Sequence, residues 1–198
     1  MKLIRSAIAT AIFVMLLFLI YYIHITYFSV NVVFYAAIAD CLLATLLAGL
    51  ILFAAAYFNS FNLFEKSQMI LIWLLAGYAF AISVPTVIDR SLSFYLLEKI
   101  QQRGGGIRLD SFEQVFTKEY VKEHRLVDVR LTEQLESGTI QIENGCVKLT
   151  EKGNKIARFS RSFRQNFLPK QRLLMGKYSD DLINPFRSST ATSDYSCR

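Results

Sequence analysis

Three long runs of apolar residues occupy the first half of the chain. They cover residues 6–27, 32–58 and 68–88, and few polar side chains interrupt them. About 20 consecutive apolar residues carry an α-helix across a hydrocarbon core roughly 30 Å thick. The pattern therefore predicts a transmembrane region at residues 1–88, with three spanning helices and short links between them.

Beyond residue 88 the apolar positions recur at shorter intervals and predict a small domain at residues 89–168. Leucine and isoleucine spaced four residues apart predict a helix from Ser91 to Arg103, which a run of three glycines ends. Asp110 or Ser111 can cap a second helix, because a glutamate or glutamine follows three residues later. A third helix is predicted from about Asp128.

The next segment has the pattern of a β-hairpin. Two short stretches of alternating apolar and polar residues, between Ile140 and Leu149, flank the dipeptide Asn144-Gly145. Asn-Gly favours the positive φ angles of a type I′ turn, so two strands joined by a tight turn are expected. Thr150 then opens a fourth helix.

This order of helices and hairpin resembles the winged-helix form of the helix-turn-helix family. The segments that carry the resemblance are Tyr95–Gly104, Val129–Ile140 and Val147–Gly153, within residues 91–167. The expected fold is an α-helical membrane protein whose three transmembrane helices precede a small winged-helix-like α+β domain. The family includes both DNA-binding and protein-binding modules, so the resemblance does not choose between them.

Composition and charge agree with a protein of two parts. Of the 198 residues, 53% are hydrophobic and 19% are charged, and the charges are concentrated after the apolar runs. Three spans place the two ends of the chain on opposite faces of the membrane, and basic residues favour the cytoplasmic face. Three basic residues (Lys2, Arg5, Lys66) oppose four (Arg90, Lys99, Arg103, Arg108). We therefore expect a multi-pass protein of the cell membrane, with its C-terminal domain in the cytoplasm.

The fourth helix is strongly basic on one side and apolar on the other. Residues 151–177 contain eight basic residues and one acidic residue. The side chains that we single out for contact with the membrane surface or a partner are Arg158, Phe159, Arg161, Phe163, Arg164 and Phe167. An interfacial membrane helix has this pattern. An apolar stripe on the last helix of a domain more often packs on the core, and we expect that here.

DNA binding is not favoured by the charge of the third helix. A helix that enters the major groove needs basic residues for phosphates and base edges. Residues 89–150 contain nine basic and ten acidic residues, and Arg130 is accompanied by Glu133 and Glu136. A near-neutral face gives little counterion-release affinity. The expected partners are therefore membrane lipids and another membrane or cytoplasmic protein, with DNA as a less favoured alternative.

Two polar residues, His24 and Asp40, lie inside the predicted spans. Counted from the turn between the spans, Asp40 lies about five residues deeper, or ~8 Å at ~1.5 Å per residue, so a direct pair needs tilted helices. A proton relay is one interpretation. We favour the other, in which His24 lies at the interface beside Tyr22 and Tyr27, and Asp40 is satisfied by a neighbouring helix or is neutral.

The junction between the third span and the domain contains Pro85, Asp89 and Arg90. Proline disfavours helix at the preceding residue, so we expect a kink there, with Thr86 and Asp89 capping the next helix. Asp89 and Arg90 have the chemistry to hold a phosphorylated lipid or to act as acid and electrophile. Helix capping and the reach of a long arginine side chain to the membrane surface explain the pair without catalysis, which is the interpretation we prefer.

No motif in the sequence indicates an enzyme, and no cofactor, metal site or small-molecule substrate is identified. Residues 169–198 are predicted to be a tail, basic at first and then polar and disordered. The resulting hypothesis is a membrane-anchored, non-catalytic interaction or assembly module whose winged-helix-like domain binds a protein near the membrane surface. The alternatives are a small subunit of an envelope lipid or polysaccharide synthesis or export system, and a membrane-tethered transcription regulator.

Overall fold

The computed structural model describes residues 2–187, which divide into two compact units on either side of the Val129–Arg130 bond. Three long helices open the first unit: α1 (Lys2–Tyr27), α2 (Val33–Ala54) and α3 (Leu63–Ala81). All three are long and apolar enough to cross a membrane, and the third spanning segment extends from Leu63 to Arg90. The prediction of three apolar helices long enough to span a membrane is confirmed, with different ends.

The third span begins five residues before its predicted start because its first turn is well capped. The Asn62 side chain accepts a hydrogen bond from the Glu65 backbone N–H at 2.8 Å, and the Glu65 carboxylate accepts one from the Asn62 N–H at 2.9 Å. Lys2 of α1 also forms an ion pair of 2.7 Å with Glu65. The first turn of α3 therefore contains charged residues. The predicted span omits this turn because it consists only of the uninterrupted apolar run.

Small and aromatic side chains fill the space between the three helices. Phe13 of α1 and Trp73 of α3 stack with their ring centroids 5.4 Å apart, and the Trp73 indole N–H donates to the Thr10 hydroxyl at 3.2 Å. On α2 the buried face is made mostly of small residues, among them Ala37, Ala44 and Ala48. Small residues let helix backbones approach closely in a membrane.

The third span contains a π-helical turn at Ile82–Thr86, where Pro85 interrupts the α-helix. Proline has no N–H to donate to the Ala81 carbonyl four residues earlier. The Thr86 hydroxyl donates to that carbonyl at 2.7 Å. The predicted disturbance of the helix at Pro85 is present as this π-helical turn. Thr86 and Asp89 do not cap the following helix, because the chain stays helical through α4 (Val87–Arg90). The break comes at Ser91, whose hydroxyl caps α5 by accepting from the Phe94 N–H at 3.2 Å.

The rest of the first unit consists of short helices. Helix α5 (Leu92–Gln102) is followed by a 3-10 turn at Leu109–Ser111 and by one helical stretch made of α6 (Phe112–Gln114), a π-helical turn (Val115–Tyr120) and α7 (Val121–Glu123). Asp110 and Ser111 lie in the 3-10 turn, and Ser111 makes no side-chain cap to α6. The predicted cap is therefore wrong. A small core of Tyr95, Val115 and Tyr120 joins these helices.

Helix α8 (Leu126–Glu136) crosses the boundary between the units and leads to the predicted hairpin. Strands β1 (Ile140–Glu143) and β2 (Cys146–Leu149) pair antiparallel, and Asn144 and Gly145 have φ angles of 51° and 75°, which confirms the tight turn. Helix α9 (Glu151–Phe167) follows, capped by Thr150 as predicted. A Cβ atom on Gly153 of α9 would lie 2.0 Å from the Thr139 carbonyl oxygen, so only glycine permits this approach.

A second hairpin lies where the sequence predicts the start of the tail. Strands β3 (Arg172–Leu174) and β4 (Lys177–Ser179) pair antiparallel around Met175 and Gly176, both with positive φ. Met-Gly is a weaker turn signal than Asn-Gly, because asparagine tolerates positive φ better than methionine does. Of the predicted disordered tail, residues 188–198 lie outside the described part of the chain.

Two glycines on neighbouring helices provide a matched test of the membrane packing. A Cβ atom on Gly77 of α3 would lie 2.9 Å from Cys41 Cβ, whereas one on Gly49 of α2 would meet Ile70 at 3.6 Å, an ordinary contact. We expect Gly77→Ala to lower the free energy of unfolding by about 1–3 kcal/mol through overpacking. Gly49→Ala should be neutral or stabilising. Unfolding in detergent micelles would measure both, and equal effects would contradict this account of the α2–α3 contact.

Candidate functional site

The apolar stripe of α9 is exposed in the structure. Phe159, Phe163 and Phe167 are 69%, 44% and 74% exposed, and Ile156 beside them is 49% exposed. The three rings form a ladder, with centroids 6.0 Å and then 5.3 Å apart. The expectation that this stripe packs on the domain core is therefore wrong.

The apolar stripe is exposed because few residues of the second unit pack against α9. Its only buried residue is Gly153, in the first turn next to the β1–β2 hairpin. Strands of four residues are about 13 Å long, whereas a helix of 17 residues is about 25 Å long. The hairpin therefore covers one end of α9 and leaves the aromatic ladder to solvent.

Basic side chains surround this ladder. At 100° per residue, Arg158 and Arg161 project opposite the phenylalanines, while Lys155 and Arg164 lie at the two edges of the apolar stripe. The helix contains five basic residues and a single acidic one, Glu151, whose carboxylate pairs with Lys155 at 2.7 Å. We call this surface, formed by Ile156, Phe159, Phe163, Phe167 and the four basic residues around them, the aromatic-basic face.

Two arginines, one in α8 and one just before it, are already bound to acidic neighbours. Arg125 pairs with Asp128 at 2.8 Å, and Arg130 pairs with Glu133 at 2.8 Å. The two partners of each pair are three residues apart in the sequence, so each guanidinium group lies against a carboxylate. Each carboxylate offsets the charge of its arginine, which adds to the charge argument against DNA binding by this helix.

A polar network without a counterpart among the predicted sites connects α5 with the following helical stretch. The Lys99 side chain is 5% exposed, and its ammonium lies 2.7 Å from Glu119 and 2.6 Å from Glu123. Tyr95 donates its hydroxyl to Glu123 at 2.8 Å, and Arg103 pairs with Glu119 at 3.1 Å. Tyr95 and Lys99 are spaced i, i+4, as are Glu119 and Glu123, and this complementary spacing is the signal that would have found the network.

The pKa values follow from these contacts. The hydrogen bond from Lys99 lowers the pKa of both Glu119 and Glu123, and the two carboxylates raise the pKa of Lys99. Burial, reinforced by the Glu123 carboxylate, raises the pKa of Tyr95 to about 12. All these groups therefore keep their ordinary charge states near neutral pH. The network contains no group poised for proton transfer or nucleophilic attack, and its chemistry is that of a clamp between two helices.

His24 and Asp40 are in direct contact, contrary to the expected separation in depth. A hydrogen bond of 2.6 Å joins His24 Nδ1 and Asp40 Oδ1. Side chains lean toward the N-terminus of their own helix. Because α1 and α2 run in opposite directions, His24 leans into the membrane and Asp40 leans toward the turn, so the two converge. Counting residues from the turn neglected this lean.

The remaining predicted site residues lie at the end of the third span. Asp89 and Arg90 are neighbours on α4, and their closest atoms, Oδ2 and Nε, are 4.0 Å apart, which is a long ion pair. Pro85 is buried in the π-helical turn before them. Within residues 2–187 there is no group of three or more His, Cys, Asp or Glu side chains suited to a metal ion.

Comparison with protein-family models, curated proteins and solved structures finds no match for this chain. The candidate sites are therefore interpreted from their own chemistry. Of these, the aromatic-basic face of α9 combines an exposed aromatic surface with an excess of positive charge. It is the strongest candidate for a functional surface.

The Lys99 network predicts a pH-dependent effect of one substitution. Since the pKa values of Glu119 and Glu123 are lowered in the folded state, their contribution is complete above the ordinary glutamate pKa and declines as pH falls through the lowered values. At pH 7 we expect Lys99→Met to lower the melting temperature of the full chain, because the two carboxylates then lose the ammonium group that both of them share. The difference in melting temperature between the variant and wild type should narrow as the pH falls through the lowered pKa values of the two glutamates, and reverse once the ammonium lacks a charged partner. Circular dichroism melts in micelles would measure it. Lys118→Met is the control, and a pH-independent difference at Lys99 would contradict the clamp.

Proposed function

We propose that this protein is a membrane-anchored, non-catalytic interaction module that acts at the membrane surface. Its three spans fix it in the cell membrane, and helix α9 binds the anionic surface of the bilayer through the aromatic-basic face. The winged-helix-like domain at residues 89–168 is thereby held close to the membrane, where it binds a protein partner. The observation that carries the proposal is the exposed phenylalanine ladder edged by basic residues.

The two halves of this face suit the two layers of a bilayer surface. Complete burial of a phenylalanine side chain is worth about 1.5–3 kcal/mol, and the ladder can enter the boundary between headgroups and acyl chains. Each basic residue close to an anionic surface adds about 1 kcal/mol. Lys155 and Arg164, at the edges of the stripe, have side chains long enough to reach the headgroups while the rings are inserted.

Attachment to the same chain makes weak binding sufficient. The third span ends at Arg90 and α9 begins at Glu151, so the helix stays tethered to the bilayer. Linking two binding elements turns the second event into an intramolecular one with a high effective concentration. An apolar-basic helix that would bind vesicles only weakly as a free peptide can therefore stay bound most of the time.

The charge of α9 also supports placing the C-terminal domain in the cytoplasm. The cytoplasmic leaflet carries the anionic lipids that attract basic segments. Basic residues near the ends of spans favour the same side. The transcription-regulator alternative requires an excess of positive charge on and beside α8, where Arg125 and Arg130 are each paired with a carboxylate.

The first test follows protection of α9 in bilayers of different charge. The full chain is placed in nanodiscs of neutral or anionic lipid, and hydrogen–deuterium exchange of residues 151–167 is measured. Exchange should slow several-fold in anionic lipid and recover at high salt, because screening weakens the electrostatic attraction. Phe159→Ser with Phe163→Ser should abolish the protection in anionic lipid even at low salt.

Leu173→Ser with Leu174→Ser is the matched control, since both leucines are exposed on the neighbouring hairpin and lie outside the proposed face. It should leave the protection of α9 unchanged. Equal exchange in neutral and anionic nanodiscs would remove the membrane surface as the partner of α9. Duplex DNA that protects residues 126–136 in a sequence-dependent way would favour the regulator instead.

The second test concerns topology. A cysteine introduced at Met175, which is 85% exposed, and one at Asn59, between α2 and α3, must lie on opposite faces of a three-span protein. In intact cells we expect an impermeant thiol reagent to label Asn59→Cys but not Met175→Cys, and to label both after the membrane is permeabilised. The reverse pattern would place the C-terminal domain outside and contradict the cytoplasmic assignment.

A further inference from the structure

Three basic side chains lie around one acidic side chain where the first and third spans begin. Lys2 of α1 forms an ion pair of 2.7 Å with Glu65 of α3, which links the starts of the two helices. Arg5 lies on the same side of α1 as Lys2, because residues three apart in a helix are neighbours on its surface. Lys66 directly follows Glu65. These three cations and one carboxylate have a formal net charge of +2.

Arg5 and Lys66 each lie over an aromatic ring instead of against a carboxylate. The Arg5 guanidinium is 4.9 Å from the centroid of the Tyr57 ring. The Lys66 ammonium is 4.9 Å from the centroid of the Phe53 ring. The two rings belong to the last turn of α2 and to the 3-10 turn Ala56–Phe58 that follows it, so both cations converge on this end of α2. Neither forms an ion pair within the described part of the chain, and the partial negative charge at a helix C-terminus offsets only part of two positive charges.

Lys66 is the most deeply buried cation of this cluster. The residue is 7% exposed, and no carboxylate or hydrogen-bond acceptor among the described residues contacts its ammonium. Lysine is almost never buried to this extent unless it is paired, because an unpaired charge is costly to remove from water. The described residues do not fully enclose the ammonium nitrogen. Attraction between charges at the edge of the hydrocarbon acts over several ångströms, so an anion at the surface of the cluster would interact with Lys66.

Exposed apolar side chains occupy the same first turns as the cations. They are Leu3 and Ile4 on α1, and Leu63 and Phe64 on α3. A small water-soluble anion gains nothing from such neighbours, whereas the acyl chains of a lipid lie against them. The headgroup of a phospholipid is located at the edge of the hydrocarbon core, which is where a spanning helix begins. The surroundings of the cluster therefore favour a lipid as the source of the anion.

We propose that the cluster of Lys2, Arg5 and Lys66 binds the phosphate group of an anionic phospholipid. The Arg5 guanidinium lies over the Tyr57 ring, and its N–H groups, which lie in the guanidinium plane, donate to two phosphate oxygens. Lys66 supplies a second positive charge beneath the headgroup. Lys2 remains paired with Glu65. A lipid with a net negative charge is preferred to a zwitterionic lipid, because a headgroup that carries its own cation does not balance the excess charge of the cluster.

This lipid site is independent of the aromatic-basic face of α9. It lies at the face of the membrane where α1 and α3 begin, whereas the third span ends on the other face, at Arg90. The two sites share no residue. The membrane-surface proposal for α9 can therefore fail while this one holds, and the reverse is also true.

Lipid titration of the full chain, followed by native mass spectrometry, tests the proposal. Every sample carries Phe159→Ser with Phe163→Ser, so that α9 contributes no bound lipid. We expect one phosphatidylglycerol to bind at least about fivefold more tightly than phosphatidylcholine with the same acyl chains. Arg5→Gln should lower the binding constant for phosphatidylglycerol about fivefold, and Arg5→Gln with Lys66→Met about 25-fold, since each basic residue close to an anionic headgroup contributes about a factor of five.

Lys118→Gln with Lys122→Met is the matched control, because it removes two exposed positive charges outside the spans and should leave the binding constant unchanged. Inorganic phosphate in excess, at constant ionic strength, should not displace the lipid, and displacement would identify free phosphate as the ligand and overturn the proposal. Equal binding of the two lipids, or equal binding by Arg5→Gln and the control, would also overturn it. If Lys66→Met prevents folding, Arg5→Gln alone, at a half-buried position, still decides the matter.

Discussion

No water is available inside a bilayer, so each polar group of a spanning helix has to find its partner within the protein. This constraint explains the details of the second and third spans. The Thr86 hydroxyl takes the place of the N–H that Pro85 lacks, and the Thr45 hydroxyl donates back to its own helix. Asn62 and Glu65 satisfy each other's backbone groups at the start of the third span, where it enters the hydrocarbon. Only at Asp40 does one buried oxygen of the described spans lack a donor.

Outside the membrane the constraint is reversed, because water can satisfy polar groups and apolar surface becomes the cost. The first unit buries apolar side chains in a small core, and the Lys99 ammonium links α5 to two carboxylates of the neighbouring helical stretch. The second unit leaves apolar side chains of α9 exposed, since its hairpins are too short to cover a helix of 17 residues. An exposed aromatic ladder in a chain that is already anchored in a bilayer has an apolar phase within reach. The same surface on an untethered protein would be a liability for aggregation.

The elements that were predicted well from the sequence are those determined by local chemistry. Apolar runs of sufficient length indicated the three spans, Asn144-Gly145 indicated the hairpin turn, and Thr150 indicated the start of α9. The errors arose where the outcome depends on geometry between elements. The contact of His24 with Asp40 depends on the opposite lean of side chains in antiparallel helices, which residue counting does not include. The exposure of the phenylalanine stripe depends on the length of the elements beside it, and an amphipathic pattern is the same whether its apolar side faces a core or a bilayer.

These two errors concern predicted site residues, and they have a common physical origin. Periodicity reports which side of a helix is apolar or polar, but not what lies against that side. For Asp40 the neighbour turned out to be His24, and the second carboxyl oxygen still lacks a hydrogen bond within the described part of the chain. For α9 no described residue of the second unit buries the ladder, which leaves its aromatic rings exposed. In both cases the hydrophobic pattern identifies the side of the helix that matters, and only the neighbouring elements determine whether that side is covered.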